Sequence, residues 1–170
     1  MSTKDNLQPV ASALAGTRLC PWESGPAVIE LQELLNAHGF RLKVDGDFGE
    51  KTAAAVATYQ RQHGLRIDTI VGVQTWAALK TTVQPGCRSL RLGHTGADVF
   101  ELQWLLQICG YDLQRDGIFS EQTKQALIAF QQRHKLQDLG WVDPITWRVL
   151  RGGSLPLPTP PDQKRPPGSW

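Results

Sequence analysis

Two pairs of residues have the right types for acid–base chemistry: Asp45 and Asp116 could act as general acids, His63 and His134 as bases. Both pairs recur at one spacing, since 116 − 45 and 134 − 63 each equal 71. Turn geometry and helix ends explain such a recurrence more simply than a duplicated catalyst. GxSxG, HExxH and CxxC motifs do not occur, and the arms outside the repeat are too short for a hydrolase domain. The three cysteines, Cys20, Cys87 and Cys109, fall at positions that do not correspond between copies, so they form no duplicated framework. They read as unlinked thiols, with a Cys20–Cys87 bridge as the alternative in an oxidising compartment. Neither they nor the histidines show metal-ligand spacing. The expectation is a chain that is not an enzyme and carries no metal or cofactor.

The elements that position these residues begin with a turn. Asp45-Gly46-Asp47-Phe48-Gly49-Glu50-Lys51-Thr52 returns as Asp116-Gly117-Ile118-Phe119-Ser120-Glu121-Gln122-Thr123. Asp-Gly supplies a tight bend. Ser120 suits a helix N-cap, and Glu50 and Glu121 place negative charge at the helix N-terminus. The same shift aligns Glu30-Leu31-Gln32 with Glu101-Leu102-Gln103, Gln60 with Gln131 and Thr75-Trp76 with Thr146-Trp147. Two copies are too few for a solenoid, so the chain reads as a pair of small duplicated domains.

Each copy predicts three helices. The first opens at Pro26 and repeats apolar residues at Val28, Leu31, Leu34 and Leu35 until Gly39; Val99, Leu102, Leu105, Leu106 and Gly110 match it. The second runs from about Glu50 to His63 and from Glu121 to His134, with Thr52, Ala55, Val56, Tyr59 and His63 inward, matched by Thr123, Ala126, Leu127, Phe130 and His134. The third is short, and in the second copy starts with the Asp143 cap and Pro144. Brief extended pieces are expected near residues 66–71 and 137–142. Trp76 and Trp147 recur and belong to the core; Trp22, Trp104 and Trp141 do not recur, so the fold does not demand them.

The 170 residues are 41% hydrophobic with net charge +2, which fits a globular chain. Without a basic face or stripe, nucleic acid is not an expected partner. No apolar run is long enough to span a membrane. The expected organisation is a flexible arm over 1–16, a domain over 17–80, a linker over 81–87, a second domain over 88–151 and a Pro-rich tail over 152–170. The arm makes a poor secretory signal. Domains this small bury only about 60% of their unfolded surface, so the two are expected to support each other.

The ordered set Leu31-Gln32, Gly39, Asp45-Gly46-x-Phe48-Gly49, Thr52, Ala55-Val56, Tyr59-Gln60, Leu65 and Thr75-Trp76 resembles the peptidoglycan-binding domain type 1. The second copy matches through Leu102-Gln103, Asp116-Gly117-x-Phe119, Thr123, Phe130-Gln131, Asp143-Pro144 and Thr146-Trp147. Thr69 stands where the family usually has Gly, and Leu139 replaces the Asp of the same turn in the second copy. The resemblance implies an all-α fold of two tandem three-helix bundles, with the usual work of holding a cell-wall enzyme against peptidoglycan. Similar bundles form the inhibitory prodomains of matrix metalloproteases, but Cys20-Pro21-Trp22 and Cys87-Arg88 do not match their cysteine motif.

It follows that the expected ligand is peptidoglycan, as glycan strand or stem peptide, with a cell-wall hydrolase or other protein as a second partner through the Pro-rich tail. The candidate contacts are Asp45, Gln60, Trp104, Asp116, Gln131 and Trp141. Trp104 and Trp141 could stack on sugar rings or fill the seam between the copies; the Gln and Asp residues could line a groove or be spent on local hydrogen bonds. The resemblance places the protein at the wall, in the periplasm or outside the cell, with the cytoplasm as the alternative given the weak export signal. The rival function is a protein-interaction scaffold that kept the bundle and lost the ligand.

Overall fold

The computed structural model describes residues 16–153. The expected arm and tail lie almost wholly outside them. Among the described residues there are six helices: α1 Pro26–Ala37, α2 Glu50–Gln62, α3 Val73–Thr82, α4 Ala97–Ile108, α5 Glu121–Arg133 and α6 Pro144–Leu150. The architecture is all-α, two tandem three-helix bundles.

Pro26 occupies the first turn of α1, where its missing N–H is harmless. Gly39 and Gly110 follow the ends of α1 and α4 with φ of 95° and 93°, the left-handed turn that releases the chain. Ser120 and Asp143 cap α5 and α6 by accepting from the backbone N–H of Thr123 and Thr146.

Each module has its own core. In the first, Val28, Leu31 and Leu35 meet Phe48, Val56, Tyr59, Trp76 and Leu79. In the second, Val99, Leu102 and Leu106 meet Phe119, Leu127, Phe130 and Trp147. Helix α3 continues to Thr82, and Val83 packs into the first core. The extended pieces reduce to single antiparallel bridges, Leu19 with Val71 and Leu90 with Val142. A bridge this short suffices because side chains take up the remaining loop amides.

Two expectations fail at the ends of α2 and α5. His63 and His134 are exposed, not inward. Each caps its helix and lays its ring on the aromatic four residues earlier, 4.0 Å from Tyr59 and 4.3 Å from Phe130 between centroids. The helix has turned its last residue to solvent, so an apolar stripe extended by one more step overshoots the core.

Candidate functional site

The turns that carry the candidate residues are held by buried glutamines. Gln32 donates through Nε2 to Asp45 Oδ1 at 2.9 Å, the Asp47 carbonyl at 3.0 Å and Thr52 Oγ1 at 3.3 Å. Its Oε1 accepts from the N–H groups of Asp45 and Gly46. Gln103 repeats this with Asp116 Oδ1, the Ile118 carbonyl and Thr123 Oγ1, accepting from Gly117 N–H. A single amide thus satisfies a turn that would otherwise bury unpaired backbone groups.

The second turn of each module is latched the same way. Gln60 donates to Asp68 Oδ1, the Ile70 carbonyl and Thr75 Oγ1, and accepts from Asp68 and Thr69. Gln131 donates to the Trp141 carbonyl and Thr146 Oγ1 and accepts from Gly140. Within each latch Asp or its replacement precedes Thr by seven residues, as in Asp45/Thr52 and Asp68/Thr75. Gln32 and Gln103 were in the sequence pattern without a role. Their signal was available: Gln at one position, Asp thirteen later, Thr twenty later, in both copies.

The candidate contacts therefore separate. Gln60 and Gln131 are 1% and 0% exposed, and their polar atoms face the loops they hold. Asp45 and Asp116 stand at the turn surface, each carboxylate accepting from its glutamine and from the backbone two residues on. The Gln32 amide, then the Asp47 N–H, hold the Asp45 carboxyl below its usual range. An acid kept ionised in this way is poorly suited to donate a proton near neutrality. Beside it lies an open cavity of about 340 Å³ that also takes in Lys43, Asp47 and Lys51. A second, of about 350 Å³, lies by the Gln60 turn between Arg18, Arg66, Asp68 and Gln74.

Trp141 is 38% exposed at the second-module position of Ile70, which lines that second cavity; Leu139 in the same loop and Ile145 in the first turn of α6 are also exposed. Trp104 lies elsewhere, 44% exposed on α4 beside Phe100 and Arg115 around a cavity of about 300 Å³. The structure does not gather all six candidates into one site. Cys20, Cys87 and Cys109 are free thiols. Among the described residues no group of three His, Cys, Asp or Glu side chains could hold a metal ion, and no helix is long and apolar enough to cross a membrane.

A seam of charges joins the modules. Arg88 and Asp98, both buried, pair through Nε–Oδ2 at 2.6 Å and Nη2–Oδ1 at 3.1 Å. Arg88 Nη1 lies 3.9 Å from Glu30 of the first module, which also meets Lys80 Nζ at 3.2 Å. Two positive and two negative groups thus balance inside the seam. At its edge Arg91 forks onto the Glu33 carboxylate at 2.9 and 3.2 Å. His94 Nε2 sits 3.5 Å from Glu33, but burial and then Arg88, Arg91 and Lys80 push its pKa down to about 3. It is therefore neutral near pH 7 and forms no ion pair there.

Three short helices around one apolar core, with glutamine-latched turns, define a small helical module. The chain belongs to the peptidoglycan-binding family described as "Putative peptidoglycan binding domain", whose pattern matches residues 24–79 and again 95–150. The family is a binding domain rather than a catalytic one. The chain is similar to the N-acetylmuramoyl-L-alanine amidase CwlM of Mycobacterium tuberculosis, 38% identical over 109 residues, covering 61% of this chain and 27% of that protein. It is 42% identical over 60 residues to the spore cortex-lytic enzyme of Halalkalibacterium halodurans, covering 35% and 18% of the two chains. Among solved structures it resembles a Burkholderia AP3 phage endolysin, with 40% identity, 41% and 26% coverage and a TM-score of 0.40. A peptidoglycan-binding protein from Clostridioides difficile matches with 32% identity, 37% and 40% coverage and a TM-score of 0.37. The chain thus spans well under half of each of these proteins.

Proposed function

We propose that this chain grips peptidoglycan without cutting it and holds a partner at the wall. The observation that carries the reading is the family pattern, matched in both modules. Wall enzymes among the relatives, an amidase and a cortex-lytic enzyme by name, support it. The wall contacts proposed are the rims of the latched turns, at Asp45 and Asp116, with the Trp141 ring as a platform for a sugar or an apolar stem-peptide group. Gln60 and Gln131 contribute by fixing the turns from within. Two modules on one chain give a second contact at high effective concentration, so weak sites add up to firm retention. The proposed location is the cell wall, and the tail over 152–170 is the proposed tether to a hydrolase or other protein.

Co-sedimentation with purified sacculi at moderate salt tests this directly. Saturable retention is expected, with no release of soluble wall fragments, and Trp141→Ala should weaken it about fivefold. Retention no better than that of an unrelated helical protein of similar charge would refute the reading. The scaffold alternative draws on the burial of Gln60 and Gln131, which leaves fewer polar groups for a ligand; strict confinement to the cytosol would favour it.

A further inference from the structure

The face of the first module that the seam covers recurs on the second module, where no other module covers it among the described residues: Trp104 is 44% exposed, while Phe100 is buried beneath Arg115. A shift of 71 residues carries Ile29, Glu30, Glu33 and Lys80 onto Phe100, Glu101, Trp104 and Arg151. The local geometry is retained. Lys80 pairs with Glu30 at 3.2 Å over the Trp76 ring, and Arg151 pairs with Glu101 at 3.1 Å over the Trp147 ring. In the first module this face receives Arg88, Arg91, His94 and Gly96 of the second. In the second module it forms the open cavity at Trp104.

The residues that do the covering also have counterparts, at the start of the first module. Arg88, Arg91, His94, Gly96 and Asp98 correspond to Thr17, Cys20, Glu23, Gly25 and Ala27. We propose that two copies of the chain join head to tail, the face around Trp104 of one receiving Cys20, Glu23 and Gly25 of the next. Inside the chain, Glu33 receives Arg91 and His94, and the Lys80 carbonyl receives Gly96, in the same way.

Three observations favour a second copy as the occupant. First, the seam charges disappear from both sides together. Glu33 and Arg91 become Trp104 and Cys20, and the Arg88–Asp98 pair becomes Thr17 and Ala27, while Glu101 keeps its own cation in Arg151. No charge is left to be buried alone, which is the condition an interface must meet. Second, the backbone approach is preserved. A Cβ on Gly96 would lie 2.9 Å from the Lys80 carbonyl oxygen, so only glycine lets the modules close there. Gly25 adopts a similar φ, 134° against 146°, and has nothing within 4 Å, the same gap left unfilled.

Third, the remaining charges complement each other. Glu23 takes the place of His94 and would come up beside Trp104. There the Arg115 guanidinium lies 4.0 Å above the Phe100 ring and 5.8 Å from Trp104, its Nε buried without a hydrogen-bond partner among the described residues. Trp22, 76% exposed at φ 76° where the second module has Gly93, adds apolar surface on the approaching side. A contact of two unlike faces leaves a free face at each end of a pair, so it builds longer assemblies, open chains or rings. It lacks the covalent linker of the internal seam and is correspondingly weaker.

Sedimentation velocity on the full chain, with reductant present because Cys20 and Cys87 are free thiols, tests the proposal between about 1 µM and about 1 mM. The expected result is a sedimentation coefficient that rises steadily with concentration. Trp104→Glu puts a second carboxylate opposite Glu23 and should raise the dissociation constant at least about tenfold. Adding Cys20→Arg to that variant rebuilds the Arg91–Glu33 pairing across chains and should restore association. A chain that stays monomeric throughout, a Trp104→Glu variant that associates unchanged, or a double variant without recovery would each overturn the proposal. No wall is present in the measurement, so its outcome is independent of peptidoglycan binding.

Discussion

The two modules have matching cores and part company at their second turns. The first closes that turn with Gln60 holding Asp68, Thr69 and Ile70; the second has Leu139 in place of Asp68, and Gln131 holds only Gly140, Trp141 and Thr146. The first module accepts a cost for its fuller latch: Thr69 takes φ 59°, where a β-branched residue is strained, while the second uses Gly140 at φ 68°. Each module therefore holds one favourable half of the arrangement. The duplicated latch tolerates the loss of either half because the glutamine satisfies most of the turn backbone, of which Asp68 takes up only the Ile70 N–H.

That difference is open to attack, beginning with the glutamines. Gln103→Ala removes a full latch and is expected to cost about 3–5 kcal/mol, because several buried groups lose their partner at once. Gln131→Ala, with fewer bonds to lose, should cost about 2 kcal/mol. Urea unfolding of both variants checks the order, and equal losses would dissolve the distinction between full and partial latches.

The seam predicts a pH effect of its own. Folded, His94 stays neutral down to about pH 3, chiefly through burial. The unfolded chain protonates it below about 6.5, so the unfolded state holds more protons in that window and stability falls as pH drops through it. The loss from this residue should be about 2 kcal/mol between pH 7 and pH 5. His38, whose pKa burial also lowers, acts in the same direction. Urea midpoints at the two pH values, compared with those of His94→Gln, isolate the seam contribution; an unchanged slope in that variant would assign the effect elsewhere.

The smallest expected change is a gain. Leu139→Asp should supply the missing carboxylate for Gln131 and stabilise the second module by about 1 kcal/mol, read as a rise in thermal midpoint. Destabilisation would mean that the half-exposed Leu139 is worth more as an apolar contact than as a latch.

Much of this fold was legible because local patterns report local structure. The Leu31, Leu34, Leu35 stripe, the Asp-Gly bends and the Asp143-Pro144 start each encode an element from a few neighbouring residues. The stripe misled only at His63 and His134, where one further step leaves the core. The latches were half legible: Gln60 and Gln131 drew notice as polar candidates, but sequence cannot tell a buried amide serving a turn from an exposed one serving a ligand. Contact between the copies was expected, but the residues that make it escaped, since Arg88, Asp98 and Glu30 meet only once the modules are placed. Its trace in the sequence was the set of positions where the copies disagree, among them Arg88 with Thr17, Asp98 with Ala27 and Glu33 with Trp104.

The central claim is that the latched turns present their outer rims to peptidoglycan. Titrating the isotopically labelled chain with soluble muropeptides, followed by amide and indole NMR shifts, tests it most directly. The account predicts saturable shifts clustered at Asp45–Asp47, Asp116–Ile118 and the Trp141 indole, with the Gln60 and Gln131 side chains unmoved. Spectra that stay constant across the titration, or shifts confined to the seam around Arg88 and Glu33, would contradict it.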